Sequence, residues 1–131
     1  MATLSRKIGE MTFDGLVTDV KPKVIVGPGT IAKGAAEVTF ERGTLFAKSA
    51  STGKLAIFGT SATEGDTLSA DCILIDDVTV GTANDETVPV YIAGCFDPEK
   101  LKMAEGATLT ETDKDVLRTK GIILKSAAAA L

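Results

Sequence analysis

The side chains with the strongest claim to chemistry are Cys95, closing the run VPVYIAGCF, and Cys72, inside DCILID. A strand that ends in a thiol and turns into a helix is a place where an enzyme mounts a nucleophile, but the thiol needs a base or a cationic neighbour to ionise near neutral pH. The chain contains no histidine. That removes Cys–His pairs, Ser–His–Asp triads and imidazole metal ligands together. Cys95, between Gly94 and Phe96, and Cys72, in an apolar run, therefore read as small buried hydrophobes. The other candidates fail on spacing. VGPGTIAKGAA lacks the Lys and Ser/Thr that must follow the last glycine of a phosphate-binding loop, since Gly34 is followed by Ala35 and Ala36. GTSATEG lacks the glycine spacing of a nucleophile elbow around Ser61, and no base exists to serve it. Asp76 and Asp77 are adjacent, so on a strand they point to opposite faces and cannot flank one bond. The expectation is no catalytic, cofactor-binding or metal site, and no enzyme.

Composition narrows the class further. At 131 residues the chain is one domain's worth. Two cysteines with no CxxC pattern indicate neither a disulfide framework nor a zinc site, and suit a reducing compartment. No apolar run approaches the roughly 20 residues of a membrane span, and the start MATLSRKIGEMTFDG has no signal core, so no membrane partner is expected. Formal charge is −4 and unevenly spread. From Leu55 to Asp97 there is no Lys or Arg, while Glu64, Asp66, Asp71, Asp76, Asp77, Asp85, Glu86 and Asp97 are acidic. With one tyrosine and no tryptophan, that acidic middle offers no nucleic-acid surface.

The elements read as mainly β, with a β-rich α+β character: a small sandwich- or barrel-like domain with two short helices and an extended N-terminal arm. The arm is expected over 1–29, where apolar residues are spaced irregularly and Pro22, Gly27, Pro28 and Gly29 punctuate the end; KVIVG is a fair short strand, so packing as edge strands on its own domain stays open. The β-rich domain is expected over 30–131. EVTF and RGTLFAK are strands, SASTG is a hairpin loop before KLAIF, and CILID reads as a strand covered on both faces. In Val88–Phe96, alternation places Val88, Val90, Ile92 and Phe96 on one side and Tyr91 and Cys95 on the other, with Pro89 demanding an edge or bulge. Asp97 and Pro98 should start a helix of about two turns over DPEKLKM. TETDKDVLRTKG has Thr caps, early acids, late bases and a Gly stop. GIIL reads as a final strand and SAAAAL as a tail.

The order AKGAAEVTFERGTLFAKSASTGKLAIFG, CILIDDV, VPVYIAGCFDPEKLKM and VLRTKGIILK resembles the lambda-like bacteriophage head decoration proteins, from about residue 13 to residue 125. The resemblance implies a virion protein, made in the host cytoplasm, that binds the outer surface of the expanded head as a homotrimer at three-fold positions and stabilises it. Its partners would be the major capsid protein and itself, with no cofactor. The arm would order on the shell, which makes Phe13, Leu16, Val17 and Val20 the capsid-contact candidates. The chain departs from the family in lacking tryptophan and in an arm richer in charged and apolar residues. A different virion module, such as a tail or spike domain, and a small-ligand-binding β-barrel are the alternative readings.

Overall fold

The computed structural model describes residues 16–19, 23–62 and 64–125. Among these residues nine strands are formed: β1 (Val17–Asp19), β2 (Ile25–Ile31), β3 (Val38–Phe40), β4 (Leu45–Ser49), β5 (Leu55–Ile57), β6 (Leu68–Leu74), β7 (Val78–Val80), β8 (Glu86–Phe96) and β9 (Ile122–Leu124). One α-helix, α1 (Glu111–Lys120), precedes β9. The neighbour order β8–β2–β5–β4–β6 returns to β8, so five strands close a small barrel. The weakest seam is β2–β5, a single parallel pairing of Ile31 with Leu55. It is tight because Gly29 faces it: a Cβ there would stand 2.7 Å from Leu55 Cδ1. β1 and β9 flank the C-terminal part of β8, and β3 pairs with β7 as a separate two-stranded sheet.

Alternation along the strands divides the apolar residues into two cores. Ile31, Phe46, Leu55, Cys72, Leu74 and Val90 come from all five barrel strands and fill its interior, with Val80 of β7. Leu45, Ile73 and Tyr91 point the other way, into an outer core completed by Leu16, Leu101, Leu117 and Ile122. CILID is thus covered on both faces, as its unbroken apolar run implies. α1, β1, β9 and the chain around Leu101 cover the outside of β4, β6 and β8.

Two bulges correct the simple alternation. Phe46 pairs with Cys72 and Ala47 with Ala70, leaving Asp71 as an extra residue and turning Ala70 to the outer core. Ile25 pairs with Ala93 and Val26 with Tyr91, leaving Ile92 extra. The parity of β8 reverses there, so Phe96 does not share a side with Val88 and Val90. It lies beside Tyr91 in the outer core, ring centroids 5.1 Å apart. Pro89 sits opposite Pro28, where two residues without N–H can face each other across a non-hydrogen-bonded pair without losing a ladder bond.

α1 has the ends its sequence implies. Thr110 and Asp113 form a reciprocal capping box, and Gly121, at φ 100°, stops the helix in the left-handed region. Lys120 Nζ donates to Ala70 O at 2.8 Å and reaches Asp71 at 3.0 Å, pinning the helix to the β6 bulge. The helix expected over DPEKLKM is only a 3-10 turn, Pro98–Lys100. Leu101 is extended (ψ 141°) and buried, and Lys102 pairs with Thr44, so burying Leu101 and joining β4 outweigh a second helical turn. The segment expected as an arm over 1–29 contributes strands on its described part: β2 begins at Ile25, inside that range, and β1 lies before it. Leu16 is 1% exposed and Val17 8%. Apolar side chains that close the outer core hold this stretch to its own domain.

Candidate contact surfaces

Both cysteines are free and buried. Cys72 lies in the barrel interior, where burial, followed by the nearby Asp71 charge, pushes its thiol far above the ordinary range. Cys95 is 1% exposed, with Thr18 Oγ1 3.4 Å from its sulfur. The carboxylate that the Cys72 thiol meets, Asp71, keeps it protonated and does not activate it. Among the described residues no group of three or more His, Cys, Asp or Glu could hold a metal ion. No described helix is long and apolar enough to cross a membrane.

The carboxylates that the structure perturbs join loops to strands. Asp85 accepts from Lys33 N at 2.8 Å and forms a 2.7 Å ion pair with Lys54. The Lys54 ammonium first, and the Lys33 amide second, hold its carboxyl below the usual range. Asp66 is lowered chiefly by the Ser49 hydroxyl, and its other oxygen accepts from Ser51 N and Thr67 N. Asp76 and Asp77 are exposed, and Asp77 accepts from Arg42 N at 2.8 Å. Asp66, Asp77 and Asp85 are thus structural acceptors beside turns. Aliphatic and aromatic side chains occupy the barrel interior, where the small-ligand reading would need a cavity.

What the surface does offer is protein contact. Of the four large hydrophobics among the described residues that stand well exposed, three lie on the β2–β8 ribbon: Ile25 at 47%, Val26 at 51% and Ile92 at 38%. The outer face of this ribbon carries Val26, Pro28 and Thr30 from β2 with Thr87 and Pro89 from β8. Thr30 and Thr87 share a hydroxyl hydrogen bond of 2.9 Å across it. On this face of β8, Arg42 lies 5.6 Å from the Tyr91 ring centroid and donates to its hydroxyl at 2.9 Å.

Of the arm residues expected to meet a partner, Phe13 and Val20 lie outside the described residues. Leu16 and Val17 are packed in the outer core with Phe96 and Ile122, and Leu16 O accepts from Asp97 N at 2.8 Å. They root the N-terminal segment to the domain. The exposed ribbon was missed from sequence, although a signal exists: no charged residue falls between Lys23 and Lys33 or between Glu86 and Asp97. What sequence could not supply is the pairing that sets the two neutral stretches side by side.

Comparison with known proteins finds a family that the chain matches over most of its length. The model of the bacteriophage lambda head decoration protein D matches residues 7–122. No curated protein matches the chain.

Proposed function

The chain belongs to the family of the bacteriophage lambda head decoration protein D, and on that premise we propose that it is a cement protein of an expanded phage head. The family implies a structural role in decorating the phage capsid. Beyond it, the reading is that copies sit on the outer surface as trimers at three-fold positions and clamp neighbouring subunits of the major capsid protein. The observation that carries this is the extent of the family match, which takes in every strand of the barrel and α1. The chemistry agrees. Cement requires a stable domain, a contact face and an extension that reaches a neighbour, and no acid, base or cofactor.

In this reading the barrel is a rigid body and the residues ahead of Leu16 are its extension. Leu16 and Val17 anchor the root, and Phe13 is the apolar residue nearest that root which remains for a neighbouring subunit. Val20, next to β1, is a further contact candidate. Three such extensions on one trimer would act multivalently, so modest single contacts would still release slowly. No catalytic activity belongs to this function. The buried thiols and the turn-bound carboxylates support that.

The test is binding of the full chain to expanded shells stripped of decoration, read by sedimentation with the shell. Saturable co-sedimentation with one trimer per three-fold position supports the reading. Shells that stay bare at micromolar protein overturn it.

A further inference from the structure

The barrel closes through unequal seams. β2 pairs with β8 from Ile25 to Ile31 and β4 with β6 from Leu45 to Ser49, whereas β2 meets β5 only at Ile31 and Leu55. That seam also lacks a second layer. The buried residues described in the outer core come from β1 and the residue before it, β4, β6, β8, β9, α1 and Leu101, and none of them lies on β2 or β5.

Asp85 reaches over this seam. It precedes β8, and Glu86 beside it pairs with Ile31, so it lies on the β8 side of β2. One carboxylate oxygen accepts from Lys33 N, just past the end of β2, at 2.8 Å; the other pairs at 2.7 Å with Lys54, just before β5. A single side chain thus ties three neighbouring strands. The loop that carries it is fastened to the same end of β2, where Gly34 N donates to Gly81 O at 3.4 Å and Lys33 Nζ to Ala83 O at 3.5 Å. We propose that the otherwise rigid barrel opens transiently at the β2–β5 seam while the rest of the domain stays folded, and that Asp85 is the latch that sets how often. Nothing in this device depends on attachment to a shell.

Two forces hold the seam. Ile31 and Leu55, 1% and 2% exposed, lose burial when β2 and β5 part. The Asp85 contacts break in the same motion, because Lys33 leaves with β2 and Lys54 with β5. The β2–β8 and β4–β5 ladders need not break, so this opening sacrifices less than unfolding does. Removing the carboxylate takes away one charge-assisted hydrogen bond and one partly exposed ion pair, which together are worth about tenfold in the opening equilibrium.

Native-state hydrogen exchange of the full chain, followed by NMR at neutral pH in urea below the unfolding transition, tests the latch. The Ala32 amide, which donates to Leu55 O across the seam at 3.0 Å, reports opening; the Leu74 amide, bonded to Thr44 O at 2.9 Å, reports the rest of the barrel. Corrected for intrinsic rates, Ala32 should exchange at least about tenfold faster than Leu74 and depend little on urea. Asp85→Ala should speed Ala32 about tenfold, and Lys54→Met, which keeps the Lys33 bond, about threefold. Leu16→Ala weakens the outer core and should speed Leu74 while leaving Ala32 unchanged. If Ala32 and Leu74 exchange together with one urea slope, the seam does not open on its own and the proposal fails; this comparison uses the unaltered chain and decides even where a variant does not fold. If Ala32 exchanges separately but Asp85→Ala leaves its rate unchanged, Asp85 is not the latch.

Discussion

Removing residues 1–15 and removing residues 1–19 should have sharply different effects, although the two deletions differ by four residues. The shorter deletion leaves every described side chain of both cores in place. The longer one takes Leu16 and Val17 from the outer core, the β1–β8 pairing and the 2.8 Å bond from Asp97 N to Leu16 O. Two buried aliphatic side chains are worth about 1.5–3 kcal/mol each, and the lost hydrogen bond adds about 1 kcal/mol. The sum is about 4–7 kcal/mol, against a total stability of about 5–15 kcal/mol for a domain. For a chain of this length each kcal/mol moves Tm by roughly 3–5 °C, so the 1–19 deletion should melt at least 12 °C below the full chain or not fold. The 1–15 deletion should melt within about 2 °C of it. Leu16→Ala isolates the larger part of the effect and should cost about 2–5 kcal/mol, since its neighbours Leu45, Phe96 and Leu117 are fully buried and close a cavity only partly. Differential scanning calorimetry and urea titration measure both. If the 1–19 deletion melts with the full chain, β1 is not part of the core and the account of the outer layer is wrong.

Other outcomes follow from single sites. Neither thiol should react with an aromatic disulfide reagent in the native protein, Cys72 least of all, and both should react at once in denaturant; prompt native labelling of Cys95 would contradict its burial. Asp85 has a folded-state carboxyl below its unfolded value, so its contribution is present above the unfolded carboxylate range near pH 4 and is lost as pH falls through the lower folded value. Asp85→Asn should therefore flatten the fall in Tm between about pH 4 and pH 2, and an unchanged acid limb would show that the Lys54 and Lys33 contacts do not persist in solution. Gly121→Ala forces an L-residue to φ 100° with its Cβ 3.2 Å from Ala93 Cβ, and should cost about 1 kcal/mol or more by urea titration; a neutral effect would mean that the helix ends elsewhere.

Much of this fold is legible locally. The caps of α1 and its Gly121 stop, the two-faced burial of CILID and the hairpin from β4 to β5 follow from short-range patterns that the tertiary structure does not contradict. The failures share one cause, which is pairing between distant segments. No local signal marks Asp71 or Ile92 as bulge residues, because a bulge is defined by the partner strand's register. Phe96 changed sides for that reason. Leu16 and Val17 look like arm residues until Phe96, Leu117 and Ile122 are brought against them. The exposed β2–β8 ribbon likewise exists only once β2 and β8 are adjacent, although the two uncharged stretches, between Lys23 and Lys33 and between Glu86 and Asp97, were readable.

The most direct test of the central claim is cryo-electron microscopy of expanded shells with and without the full chain. The account predicts added density on the exterior at every three-fold position, each site fitted by three barrels with residues ahead of Leu16 reaching a neighbouring subunit. Identical maps, or density at five-fold vertices or the tail alone, would contradict it.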